Sequence, residues 1–270
     1  KIENFALASK KQTEVFSIKH NDIPNELDLN LLKVGSAMKG AYYSAAFILR
    51  TLVAEHLDID PEELDIGNIV STEVSDKKAG EIRLNDHLPN GAGFSSEIKN
   101  NISTLLEKIK EPTKSLFIKK LYSIEHIENC KSSCNNCLKA YRNINYHGLL
   151  DWRLGISLLQ TFISSNYKCG VDDNFSSFEL KNWKEGAKNL RDKFCRDFNT
   201  QTQDYDSLPG LSIGNKNVII IHPFWNDKSE RGLVASARGK VSDEEVLFID
   251  TFNLLRRPSS VYKYIGTKKY

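Results

Sequence analysis

Methionine is almost missing from this chain, one in 270 residues, and cysteine (5), proline (7) and tryptophan (3) are sparse. Three of the cysteines fall within eight residues and the other two are scattered, a distribution that excludes a disulfide framework in a chain of this size. A reducing, cytoplasmic setting is the expectation. Long apolar runs are missing too: the stretches at 45–49 and 218–221 fall far short of the roughly 20 residues needed to cross a bilayer. No membrane span is therefore expected. Neither sign of charge dominates, with 37 Lys and Arg against 35 Asp and Glu, so the whole chain is not a polycation built to coat nucleic acid. Neither a GxxxxGK[ST] phosphate loop nor a DEAD or DEAH box occurs, so any ATP hydrolysis must lie elsewhere. The chain opens on Lys1 without an apolar leader and reads as the internal start of a longer protein.

What is present is a foldable composition, 40% apolar and 27% charged, in a length that suits one large domain or two ordinary ones. Residues 31–57 carry apolar and small side chains at helical spacing and predict a long, closely packed helix. Asp60 followed by Pro61 predicts a capped short helix. Residues 68–75 and 81–88 have strand character and predict a hairpin joined by the polar 76–80. The glycine-bearing turn at 88–94 leads into a helix at 95–109. Its role is conformational, with anion binding at the helix N-terminus as the alternative. Shorter helices are expected at 114–123, 148–164 and 177–199. The β-branched runs at 217–223 and 245–255, with 227–240 between them as helix or loop, predict a small α/β unit.

The chemistry concentrates in Cys130-Lys-Ser-Ser-Cys134-Asn-Asn-Cys137. Three thiols so close can converge on one small cation, and zinc accepts a tetrahedral set of sulfur and nitrogen ligands without redox chemistry. The fourth ligand is assigned to His147, ten residues beyond Cys137, with His126, Cys169 and Cys195 as competitors. A fully ligated zinc leaves no position for water, so the ion is expected to be structural, one per chain, with no catalytic residue beside it.

These residues also carry a resemblance. The order of Tyr43-Ser44-Ala45-Ala46, the strand Glu81-Ile-Arg-Leu-Asn-Asp, the turn Leu88-Pro-Asn-Gly-Ala-Gly-Phe and the cysteine segment resembles the MrfA-type zinc-binding domain, a helicase-associated family long described as of unknown function. Its most specific part is the set Cys137, Leu138, Tyr141, Asn143, His147, Leu150, Asp151 and Arg153. The cysteine–histidine form resembles the DrmB subunit of the DISARM antiphage system. The resemblance covers about residues 31–165. It implies an accessory of a superfamily 2 DNA helicase, with the motor in another chain or in a preceding segment.

The expected architecture is α+β: an N-terminal strand and linker at 1–30, a helical and hairpin core with the zinc site at 31–165, and a small C-terminal α/β lobe at 166–270. DNA phosphate contacts are assigned to Lys139, Arg142, Arg256 and Arg257, within basic stretches at 108–142 and 256–270. Tyr141 and Tyr146 are candidates for base stacking or for packing round the metal. His87, next to Asp86, is a weaker candidate base. One alternative is a nuclease or hydrolase using His222 and Asp250 of the C-terminal lobe. Another is a protein adaptor that never touches DNA.

Overall fold

The computed structural model describes residues 12–88, 91–241 and 246–267. Strand β1 (Val15–Ile18) precedes the long helix α1 (Ala37–Leu57), which starts later than its apolar pattern. Gly35 has φ +99°, and a Cβ there would stand 2.6 Å from the Asn253 side chain, so residues 31–36 form turns. A 3-10 turn at Pro61–Glu63 follows, with Asp60 and Glu63 forming the reciprocal capping box expected of an Asp-Pro start.

Next come β2 (Leu64–Ile66), β3 (Val70–Val74) and β4 (Lys77–Asp86). The β3–β4 hairpin turns on Ser75 and Asp76 alone, with Ser75 at φ 56°, so residues 77–80 belong to the strand rather than to a loop. Ten residues long, β4 organises the sheet, pairing antiparallel with β1, β2 and β3. It is tied to α1 by Tyr42, whose hydroxyl accepts from Gly80 N at 2.7 Å and donates to Leu29 O at 3.0 Å.

Helix α2 (Phe94–Lys110) is followed by two short helices, α3 (Leu116–Leu121) and α4 (Ile124–Asn129), capped by the hydroxyls of Ser115 and Ser123. Helix α5 (Trp152–Ile163) is capped by Asp151, which takes the Leu154 N–H. The small residues of α1 let α5 approach closely. A Cβ at Gly155 would meet the Ser44 backbone at 2.9 Å, and Ser44 Oγ accepts from Asp151 N at 2.7 Å.

The C-terminal part contains α6 (Trp183–Phe198), β5 (Gln201–Tyr205), β6 (Leu208–Ile213), β7 (Lys216–Ile221), α7 (Gly232–Arg238), β8 (Val246–Asp250), α8 (Thr251–Arg256) and α9 (Pro258–Thr267). Its sheet runs β5-β6-β7-β8, antiparallel except for β7 with β8, which are parallel and joined through α7, so the segment left open as helix or loop is in part helix. The second apolar run is only half strand. Asp250 caps a helix start through Asn253 N at 2.8 Å, which turns the remainder into α8.

The main core runs from Phe16 to Phe252, and a smaller one lies between α6, the C-terminal sheet, α8 and α9. Residues 26–28 cross to the C-terminal part, where Asp28 N bonds Phe224 O, Asn226 N bonds Glu26 O, and Leu27 bridges Trp225. The whole is a mixed α+β fold with its cysteine cluster between helices α4 and α5.

Candidate metal centre

Helix α4 ends at Cys130, one turn beyond His126, so these two side chains share a face. The chain then doubles back. Cys134 O accepts from the N–H groups of Cys137 and Lys139, both at 3.1 Å, and Cys134 N points at Cys137 Sγ, also at 3.1 Å. This knuckle brings Cys137 Sγ to 3.7 Å from Cys134 Sγ and 3.9 Å from Cys130 Sγ. A tetrahedral zinc with bonds of about 2.3 Å to sulfur sets its sulfurs about 3.8 Å apart, so the thiols already stand at ligand spacing.

The fourth member of the cluster is His126. One donor atom from each of His126, Cys130, Cys134 and Cys137 lies within 4.8 Å of all the others. His126 Nδ1 donates to Leu121 O at 2.8 Å, which fixes the tautomer and leaves Nε2 as the basic nitrogen. That Nε2 is buried and has no hydrogen-bond partner among the described residues. A buried lone pair facing three thiols is the condition a metal satisfies, and this set of one histidine and three cysteines is compatible with one zinc ion. The thiol hydrogen bond from Cys130 pulls the Cys137 thiol down to about 5, and the same bond together with burial pushes Cys130 up.

His147, the expected fourth ligand, is held elsewhere. Its Nε2 donates to Ala140 O at 3.0 Å and to Asn143 Oδ1 at 2.9 Å, and Asn143 in turn donates to Leu138 O at 2.8 Å. The 3-10 turn Tyr141–Tyr146 lies between the knuckle and His147, and the imidazole staples that turn instead of reaching the thiols. The competing thiols are also remote. Cys169 is buried against His222, and Cys195 lies in α6. The signal that identifies His126 is its separation of four residues from Cys130 at the end of one helix.

The residues around the cluster hold it from outside. The Cys130 carbonyl accepts from Trp152 Nε1 at 3.2 Å and from Arg153 at 2.8 Å, and Arg153 also donates to Ile127 O at 2.9 Å. Arg153 lies over the Trp152 ring. Leu138, next to Cys137 in the chain, and Leu150 are both buried in the main core.

Of the basic residues assigned to DNA, Lys139 is half-buried at the knuckle, Arg142 is exposed and pairs with Glu62 at 3.0 Å, and Arg257 is exposed. Arg256 points inward, donating to Leu150 O at 2.9 Å, facing Asp151 at 3.4 Å and covering Phe252. Tyr141 is exposed, whereas Tyr146 packs on Tyr43 and Phe47. His87 pairs with Asp65. The amides of Ala92 and Gly93 at the glycine turn are taken by the Asp86 carboxylate, which occupies the place an anion would need.

The C-terminal candidates are engaged in structure. His222 is buried, accepts Phe224 N on Nδ1 at 3.2 Å, and touches Cys169 Sγ at 3.4 Å. Asp250 spends its carboxylate on Asn253, and burial pushes its pKa up. Residues 210–214 do spell the G-x-S-x-G letters of a serine hydrolase. Ser212, however, lies inside β6, opposite Gln201 and Asn217, and not on a strand-to-helix elbow.

Two buried histidines make the fold acid-sensitive. Burial lowers His20 to about 4 and His222 to about 3. Thr161 donates to Leu158 O and so accepts from His20 Nε2, leaving Nδ1 bare in the core. Both folded pKa values lie below the unfolded value, so the unfolded chain binds more protons between pH 6.5 and about 4, and stability falls as pH falls through that window. Each histidine is expected to remove about 2 kcal/mol between pH 7 and pH 5. Urea midpoints at the two pH values test this: His20→Gln should lose less than the wild type over the same interval, and an equal loss would refute the assignment.

Comparison with known proteins places the cluster in a family context. The chain is 33% identical over 123 residues to Druantia protein DruE of Escherichia coli (strain UMEA 4076-1), a match that covers 44% of this chain and 6% of that protein. The chain thus spans a small part of its relative's length. No solved structure gives a significant match. Residues 45–138 match the model of the MrfA Zn-binding domain, a span that contains all four members of the His126–Cys130–Cys134–Cys137 cluster and ends before His147.

Proposed function

We propose that this chain is a zinc-stabilised accessory module of a superfamily 2 DNA helicase system, resembling the DrmB subunit of DISARM, that helps the motor engage DNA in bacterial antiphage defence. The observation that carries the reading is the closed cluster of His126 and three cysteines, which offers four protein donors and so supports a structural ion with no position left for water. Its place inside the span matched to the MrfA Zn-binding domain supports the family reading. Likeness to a small part of DruE supports a module working within a larger assembly. DNA contacts fall to Lys139, Arg142 and Arg257, the assigned cations whose side chains are not committed to the core.

Two measurements test this. Elemental analysis should find one zinc per chain in the wild type and in His147→Ala, and much less in His126→Ala. Retention by His126→Ala with loss in His147→Ala would restore the other ligand set. Fluorescence anisotropy against labelled DNA over a salt series should show binding whose salt slope drops by about one for each of Arg142→Gln and Arg257→Gln. Metal without any DNA affinity would instead favour a protein adaptor.

A further inference from the structure

Between the cysteine knuckle and helix α5 the chain makes the turn Tyr141–Tyr146, whose side chains divide into two sets. Asn143 is 4% exposed and Tyr146 packs on Tyr43 and Phe47, so these two face the protein. Tyr141 is 91% exposed and Ile144 61%, and Arg142 and Asn145 are exposed as well. No large apolar side chain among the described residues is barer than Tyr141.

A single exposed apolar residue is ordinary. What sets Tyr141 apart is the firmness of its support. Asn143 Oδ1 accepts from Ala140 N and from His147 Nε2, both at 2.9 Å, and its amide donates to Leu138 O at 2.8 Å. The backbone closes the turn at both ends, through Asn143 N to Ala140 O and His147 N to Ile144 O, each at 3.2 Å. Leu138 directly follows Cys137, so the turn is fastened to the metal-binding knuckle itself. A contact group fixed on such a frame loses little freedom when it binds, which is how loops on rigid supports serve recognition.

The local charge points to the kind of partner. From Cys130 to Leu150 there is no aspartate or glutamate, whereas Lys131, Lys139 and Arg142 are cationic. Arg142 follows Tyr141 directly and Lys139 precedes it by two residues, so the chain ties both charges to the ring. The pair between Arg142 and Glu62, at 3.0 Å, has side chains 67% and 37% exposed, a solvent-screened contact that a phosphate can replace. An accessible aromatic ring flanked by cations is the composition of a stacking platform for unpaired bases, with the cations on the backbone phosphates. Every base has a π-face to offer, but a duplex spends those faces on its own stack.

We propose that Tyr141 stacks on an unpaired base of single-stranded DNA whose phosphates are met by Lys139 and Arg142. This rests on the DNA-engaging reading above and narrows it to single strands, without preference among bases.

Fluorescence anisotropy of the zinc-loaded chain with a labelled oligo-dT, and with a duplex of the same length, tests the proposal. The single strand should bind more tightly than the duplex. Tyr141→Ala should weaken single-strand binding about tenfold and leave duplex binding within twofold, while Tyr141→Phe, which keeps the ring, stays near the wild type. Because Tyr141 is exposed, both variants should keep the wild-type thermal midpoint and zinc content. In Tyr141→Trp, emission from the new indole should be quenched on adding oligo-dT. Equal losses on both DNA forms in Tyr141→Ala, or a loss in Tyr141→Phe as large as in Tyr141→Ala, would overturn stacking. Single-strand binding that Tyr141→Ala leaves unchanged but Arg142→Gln weakens would overturn the platform and leave the general DNA reading standing. No affinity of the wild type for either form would remove that reading and the platform with it.

Discussion

Replacing Cys137 with serine is expected to abolish zinc binding and to cost more stability than any other single change in the N-terminal half. Cys137 is the hub of the cluster, 3.9 Å and 3.7 Å from the other two sulfurs and the acceptor of the Cys134 N–H. A serine oxygen is a poor zinc ligand at neutral pH, and its shorter bond to carbon withdraws the donor from the tetrahedral position. Structural zinc contributes about 10–16 kcal/mol of apparent binding energy in isolated finger peptides. This knuckle is additionally braced by Trp152, Arg153 and the buried Leu150, so the net loss expected is smaller, on the order of 5 kcal/mol. Urea unfolding with and without a chelator reads it. The chelator should bring the wild type down to the midpoint of Cys137→Ser and leave the variant where it is. Stoichiometric zinc in the variant, or a chelator without effect on the wild type, would mean that the four-donor cluster does not hold a structural ion.

The three cysteines were legible because thiols packed that densely seldom fall together unless a metal gathers them. The fourth donor was not, because His147 is the nearest histidine downstream of the knuckle, whereas His126 lies upstream on a helix too short to show in the pattern. The family motif proves to be largely scaffold. Asn143 and His147 staple the 3-10 turn, Asp151 caps α5, and Arg153 grips the Cys130 carbonyl, all of which position the knuckle without contacting its thiols. Helix α4 was invisible because six residues give too short a window for periodicity, and its start is marked only by the Ser123 cap.

The parallel direction of β7 and β8 came from the structure, while the long helix, the β3–β4 hairpin and the C-terminal strand–segment–strand unit followed from pattern. Strand β5 did not. Its residues Gln201 to Asp204 are exposed at a sheet edge, where pairing with β6 rather than burial defines the strand. The inward turn of Arg256 was equally hidden, since Arg256 and Arg257 look alike in sequence and only the position of Asp151 separates them.

That position makes Arg256→Ala the second large effect. Asp151 is 8% exposed at the N-terminus of α5, where burial pushes its pKa up while the charges of Arg256 and Arg153 pull it down. Removing Arg256 strands a buried carboxylate, frees the Leu150 carbonyl and uncovers Phe252. Breaking a buried pair from one side typically costs about 3–5 kcal/mol; the 3.4 Å separation here argues for the lower end, about 3 kcal/mol. A double-mutant cycle with Asp151→Asn isolates the electrostatic part. Asparagine keeps a side-chain oxygen for the Leu154 cap but carries no charge, so the double variant should be less destabilised than the sum of the singles by about 1–2 kcal/mol. Strict additivity would mean that Arg256 acts only through packing and the Leu150 carbonyl. The pair also joins α8 to the end of α5 that holds the Cys130 carbonyl through Trp152 and Arg153. Loosening it should therefore weaken zinc retention in a chelator competition, although Arg256 touches none of the four donors. Unchanged retention alongside the expected loss of stability would show that helix α8 and the metal centre are energetically independent.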